Sequence, residues 1–246
     1  MLNPATFDVL ELEYRIVRAR NRLRFALAPK GDRAARRIFV VGHPRTGTGT
    51  LHRIFLANGL DSVHTAGSWK TDRHECFSDR GNYQPVERLA ETYPKAEFVL
   101  NTRPAWRYLR SRMNQTTKKR TRRGLPQPRF SARNAANEIR RRNAFFVDCL
   151  RLFDALGERF VIANIERAGA FEFICGWLGL EHQPIWHNKT PPEVAPETAE
   201  RLDAGFRLLG VEDERMNPFV FEALLEREDR DRLARFMDQY RARIFL

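Results

Sequence analysis

Ile38-Phe39-Val40-Val41-Gly42-His43-Pro44-Arg45-Thr46-Gly47-Thr48-Gly49-Thr50-Leu51 is the stretch that decides the fold. Four consecutive apolar residues, Ile38 to Val41, are too few for a helix and read as a strand covered on both faces, as inside a parallel sheet. A glycine- and threonine-rich turn follows, and a helix starts towards Leu51. Strand, tight loop and helix start in that order make an anion site. Gly47 and Gly49 let backbone N–H groups converge, while Thr46, Thr48 and Thr50 add hydroxyls at the positive end of the helix. The predicted occupant is a phosphorylated ligand.

The spacing of Gly42 and Gly47 matches the opening of the nucleotide-hydrolase loop G-x-x-x-x-G-K-[ST], but Thr48 stands where its lysine would be. The loop's cation is Arg45 instead. Further along, Ala96 to Thr102 reads as a second buried strand with Arg103 at its end, and Pro104 suits the first turn of a helix carrying Trp106, Leu109 and Met113. Arg103 and Ser111 are eight residues apart and point broadly to one side of that helix. A planar guanidinium and a hydroxyl together suit a phosphate. Phe160 to Glu166 reads as a third strand, and a helix from Phe171 to Leu178 ends at Gly179-Leu180.

Pro44-Arg45-Thr46-Gly47-Thr48 resembles the 5′-phosphosulfate loop of sulfotransferases, P-K-x-G-T-[TS]. Arg103 and Ser111 keep the spacing of the arginine and serine with which that family binds the 3′-phosphate of its donor. His187-Asn188-Lys189-Thr190-Pro191 resembles the late loop that folds over the donor in bacterial and glycan sulfotransferases. The resemblance runs over about residues 37 to 190, to the bacterial and glycan-type branch of the 3′-phosphoadenylyl-sulfate (PAPS)-dependent family. It implies an α/β, P-loop-type three-layer fold with a central parallel sheet flanked by helices. It implies PAPS as donor, adenosine 3′,5′-bisphosphate as product and no metal. Donor contacts are then expected from Arg45, Thr46, Gly47, Thr48, Gly49, Thr50, Arg103, Ser111, Asn188 and Lys189. The family's lysine also donates a proton to the leaving phosphate; arginine stays charged, so Arg45 inherits only the electrostatic role.

An acceptor hydroxyl or amine needs a base within reach. Trp69 to Glu75 lies between the two phosphate segments, where the family has its base loop. Lys70-Thr71 resembles the "KTH" of cytosolic sulfotransferases, with Asp72 at the histidine's place. The catalytic candidates are therefore Arg45, Lys70, Asp72, His74 and Glu75, with His64 and Asp79 behind them. His74 suits proton transfer near neutrality, and a carboxylate would serve if partly desolvated. Each of them also reads as an ordinary solvated loop residue.

With 246 residues, 42% of them hydrophobic, the chain can bury one sizeable core and reads as a single domain, residues 1–246. Phe7 to Leu27 has helical apolar spacing, giving an amphipathic helix within residues 1–30 expected to dock on the sheet. The core is expected over 37–190, with a long helix from about Ala132 to Leu156, and helices over 196–246. Cys76, Cys149 and Cys175 show no metal-ligand spacing and imply free buried thiols in a reducing compartment. No apolar stretch has membrane-spanning length and no secretory segment is visible, so the expected location is cytoplasmic, with contact to the inner membrane face as a further option.

A net charge of +12 calls for an anionic partner. PAPS accounts for part of it, and an acidic glycan or lipid-linked sugar as acceptor would account for more. Lys118 to Arg123 is the densest basic run, but it lacks the aromatic interleaving and module signature of a nucleic-acid binder. It reads as a solvated loop or an acceptor-side rim, and Arg140 to Arg142 as a solvated or substrate-facing edge. Two other functions compete. A nucleotide kinase or triphosphatase is opposed by the missing lysine and by the lack of a convincing Mg²⁺-binding carboxylate at a strand end. A polyanion-binding module would rest on the basic runs alone.

Overall fold

The computed structural model describes residues 32–64, 73–78, 86–125, 130–157, 159–185 and 196–246, together with Ile16, Ala19, Leu23 and Leu27. In chain order they form β1 (Arg37–Val40), α1 (Thr48–Ala57), β2 (Ser62–Val63), β3 (Cys76–Phe77), α2 (Val86–Thr92), β4 (Ala96–Thr102), α3 (Ala105–Arg122), α4 (Ala132–Leu156), β5 (Phe160–Asn164), α5 (Ala170–Leu178), α6 (Pro196–Arg207), α7 (Arg227–Gln239) and β6 (Ile244–Phe245). The six strands make one sheet in the order β2-β3-β1-β4-β5-β6, and every pair in it is parallel. The protein is a three-layer α/β structure.

Side-chain alternation along the strands explains the layers. Ile38, Val40, Val99, Val161 and Ala163 point to one face, where Leu51, Ile54 and Phe55 of α1 and Phe171, Ile174 and Leu178 of α5 cover them. Phe39, Val41, Phe98, Leu100, Phe160 and Ile162 point to the other, under α2, α4 and α7. That second core is aromatic: Phe153 stacks on Phe160 at 4.6 Å, and Phe39 on Phe77 and Phe98 at 5.2 and 5.8 Å. A third cluster ties α3, α4 and α6 together through Tyr108, Leu109, Ile139, Leu202 and Phe206. The three cysteines are buried and free, and burial pushes the Cys76 and Cys175 thiols up to about 12 and about 11.

α4 covers the predicted long helix, started by Ser131, whose hydroxyl accepts from the Asn134 N–H in a capping box. Three expectations need correction. Residues 196–246 are not helical throughout: the chain ends in β6, paired with β5, because Ile244 and Phe245 complete the sheet edge. Lys118 to Arg122 is no loop but the last turns of α3, with Arg123 as its C-cap, and basic side chains suit a helix C-terminus. Arg142 is not on a solvated edge; it is 2% exposed, since that turn of α4 faces the sheet. Ile16, Ala19, Leu23 and Leu27 are helical and exposed, and the rest of the expected amphipathic helix from Phe7 to Leu27 lies outside the described residues. No helix among the described residues is long and apolar enough to cross a membrane.

Candidate functional site

β1 and β4 are neighbours, in register from Arg37 opposite Ala96 to Val40 opposite Val99. The chain leaves β1 towards β3 and β2, then returns to the other side of β1 to form β4. Such a reversal opens a crevice at the carboxyl edge of an open α/β sheet. The segment 42–47 and Arg103 leave β1 and β4 at that edge, side by side.

The loop is braced from β4. Asn101 Oδ1 accepts from the Gly42 N–H at 3.1 Å, and a Cβ at position 42 would lie 2.1 Å from that oxygen, so only glycine permits the approach. The Asn101 amide donates in turn to the Thr46 carbonyl and, at 2.9 Å, to Thr46 Oγ1. Thr46 Oγ1 donates to the His43 carbonyl at 2.5 Å. Its hydroxyl proton thus holds the loop's own shape, which corrects the expectation that Thr46 donates to a ligand. Gly47 has φ 88° and, having no side chain, caps α1 without a side-chain hydrogen bond to the first-turn N–H groups, Thr48 and Gly49 among them.

Arg45 joins the two halves of the site. Its φ of 79° makes it the one non-glycine residue in the left-handed region among the described residues, a conformation that costs about 1–3 kcal/mol and recurs at functional sites. That conformation sends its Nε to Ser111 Oγ, 2.9 Å away on α3, and leaves its carbonyl to accept from Arg103 at 3.0 Å. Arg103 is 6% exposed, and its second terminal nitrogen donates to Glu166. Its Nε is buried with no hydrogen-bond partner among the described residues. Arg107 lies 3.7 Å from the other oxygen of Glu166. Burial, and then the charges of Arg103 and Arg112, hold the Arg45 pKa below its ordinary value. The edge gathers more positive charge than its carboxylates neutralise.

Arg142 supports the site from behind. It donates to the carbonyls of Phe219 at 2.6 Å, Arg103 at 3.2 Å and Asn217 at 3.5 Å, and lies over the Phe146 ring at 4.6 Å. Burial pushes its pKa down to about 9, which still leaves it cationic at neutral pH.

The base candidates divide. His74 and Glu75 immediately precede β3, whose Cys76 sits opposite Ile38, so they lie at the amino edge of the sheet. At about 3.3 Å per residue they are roughly 16 Å from the loop along the strand direction. There His74 Nδ1 pairs with Asp61 at 3.0 Å, and Glu75 accepts from the Asp61 N–H at 2.8 Å. The expectation that they act beside Arg45 is corrected. His64 immediately follows β2, on the carboxyl edge, with its Nδ1 3.2 Å from Ser78 Oγ and its ring stacked on His52 at 5.6 Å. Lys70, Asp72, Asp79, Asn188 and Lys189 lie outside the described residues.

Asn101 and Glu166 lie at this site by structure without having been named as site residues from the sequence, and Arg142, read there as part of a solvated or substrate-facing edge, instead braces it from behind. Asn101 had a signal, a polar residue inside an otherwise apolar strand. Among the described residues no group of three or more His, Cys, Asp or Glu side chains could hold a metal ion. Comparison of the chain with family models, with curated proteins and with solved structures finds no match.

Proposed function

We propose that this protein is a sulfotransferase that moves a sulfuryl group from 3′-phosphoadenylyl sulfate to a hydroxyl or amine acceptor. The observation that carries this reading is the convergence on Arg45: a strained arginine in a glycine–threonine loop, bonded at once to Ser111 and to Arg103 from the neighbouring strand. The donor fits the residues available. Among the described residues Arg103 keeps a buried Nε without an acceptor, and the start of α1 lacks a capping side chain, so two separated anionic groups would each find donors.

In this reading Arg103 and Ser111 hold the 3′-phosphate, and the Thr48 and Gly49 N–H groups hold the 5′-phosphate. The bound donor supplies an activated sulfur–oxygen anhydride bond. Arg45 lays its charge against the oxygens that become more negative as that bond breaks, without giving up a proton. The acceptor proton goes to His64. Ser78 Oγ donates to the Val63 carbonyl at 3.3 Å and lies 3.2 Å from His64 Nδ1, a contact that orients the imidazole. A soluble or membrane-linked acidic acceptor would suit the positive edge.

Calorimetry with three ligands tests the reading. Adenosine 3′,5′-bisphosphate should bind in the presence of a chelator, and more tightly than adenosine 5′-monophosphate. Preferential binding of ATP with Mg²⁺ would make the protein a kinase or triphosphatase. Binding of polyanions alone, steeply weakened by salt, would make it a polyanion-binding module.

A further inference from the structure

Among the described residues, Glu166 puts a carboxylate directly on Arg103 at the carboxyl edge, where it works against anion binding. It follows β5, whose Thr102–Asn164 register with β4 brings it beside Arg103. Its N–H donates to Asn164 Oδ1 at 3.1 Å, which fixes the backbone. One carboxylate oxygen accepts from the buried Arg103 guanidinium, and the other lies 3.7 Å from Arg107 Nε. The two partners differ in freedom. The Arg103 side chain is 7% exposed and held by the Arg45 carbonyl, and its backbone is held by Arg142. The Glu166 side chain is 22% exposed and can rotate into water without losing solvation.

We infer that Glu166 is a resident anion: its carboxylate occupies the Arg103 guanidinium in the empty site and is displaced when the anionic group of a ligand arrives. The role has two sides. A buried guanidinium without a counter-charge destabilises the fold, so Glu166 stabilises the empty protein. A carboxylate tethered beside its target is also an intramolecular competitor, present at high effective concentration, so it weakens every external anion that needs Arg103. The inference rests on the reading that this edge binds anions, though not on sulfuryl transfer.

The test compares wild type with Glu166→Gln, an amide of the same shape, using calorimetry and thermal melts. The ligands are adenosine 3′,5′-bisphosphate and, separately, inorganic pyrophosphate. The expected result is a pair of opposite changes. The empty variant melts at a lower temperature, and it binds adenosine 3′,5′-bisphosphate roughly 10- to 100-fold more tightly, the range of one charge-assisted hydrogen bond removed from competition. Weaker binding by the variant would mean that Glu166 contacts the ligand, and unchanged affinity would mean that the Arg103 pair persists in the complex; either result overturns the inference. Glu166→Asp keeps the charge and should bind near the wild-type level, which provides a readout if the amide fails to fold. Tighter binding of pyrophosphate but no binding of adenosine 3′,5′-bisphosphate would sink the donor reading and leave the resident anion standing. If neither ligand binds either protein, both fall.

Discussion

The two edges of the one sheet treat charge in opposite ways. At the amino edge the pairs are local and open to water: Arg36 meets Glu97 at 2.5 Å and the Leu178 carbonyl at 2.8 Å, and His74 meets Asp61. These pairs are solvated, and such pairs are worth about 0–1 kcal/mol each. At the carboxyl edge Arg45 and Arg103 crowd together with Arg112 close enough to depress the Arg45 pKa, and Glu166 shares Arg103 and Arg107. Here Arg103 is buried, which makes its charge expensive, and among the described residues its Nε donor remains unspent. Evenly answered charges belong to a scaffold. Concentrated, strained and under-neutralised charges are what the proposed anion site calls for, a ligand's negative charge completing them.

The sharpest way to break this contrast is to remove the buried cation behind the carboxyl edge. Arg142→Ala deletes donors to three carbonyls and opens a cavity beneath Phe146. Urea unfolding should reveal a loss on the order of 3 to 5 kcal/mol. A loss under about 1 kcal/mol, the scale of an exposed pair, would mean that Arg142 belongs with the amino-edge charges after all.

Next in size is Arg103→Ala. The change removes the guanidinium that bridges Arg45 and Glu166, and adenosine 3′,5′-bisphosphate affinity should fall by about 1.5 to 3 kcal/mol. Arg103→Lys should recover only part of this, since an ammonium lacks the planar fork. Unchanged affinity in the alanine variant would remove the 3′-phosphate assignment.

Why one edge was readable and the other misread follows from the strands. β1 and β4 carry apolar runs ending in Gly42 and Arg103, and the eight-residue step from Arg103 to Ser111 needs only helical geometry, so the loop and its partners are legible in the sequence. β2 and β3 are two residues each, Ser62–Val63 and Cys76–Phe77, too short for any periodicity to register. Without them, everything between the phosphate segments looks like one loop near the donor. With them, the chain enters each parallel strand at the amino edge and leaves at the carboxyl edge, so His74 and His64 fall on opposite sides of the sheet. Glu166 and Arg142 were illegible for another reason: their roles depend on which buried guanidinium they meet across 63 and on which carbonyls they reach across 77 positions of chain. No local pattern encodes that.

A smaller effect is expected at the amino edge itself. The double variant His74→Ala, Glu75→Ala removes one exposed His–Asp contact and one side-chain acceptor, and should lower stability by about 1 kcal/mol or less. Adenosine 3′,5′-bisphosphate should bind it as it binds wild type, because the substituted groups lie at the far end of β3. A fall in ligand affinity, with stability preserved, would return these residues to the site and undo the division into edges.

The smallest change tests how far the carboxyl edge extends. Lys118, Lys119, Arg122 and Arg123 are exposed on the last turns and C-cap of α3, the helix that begins just after Arg103. At 1.5 Å rise per residue, Lys118 lies about 10 Å along the axis from Ser111 and Arg123 about 18 Å, at or beyond the screening length of roughly 8 to 10 Å at ordinary ionic strength. Charges so placed can steer an anion but cannot hold it. Replacing all four with glutamine should therefore leave the adenosine 3′,5′-bisphosphate affinity within about two-fold of wild type at 150 mM salt, with a slower association rate at low salt that vanishes as salt is added. A polyanionic acceptor, which would cross this end of the helix, should show a KM raised a few-fold with kcat unchanged, the pattern of lost uniform binding. If nucleotide affinity collapses instead, the binding surface runs the length of α3, and the boundary between a buried site and a solvated scaffold has been drawn too close to Arg45.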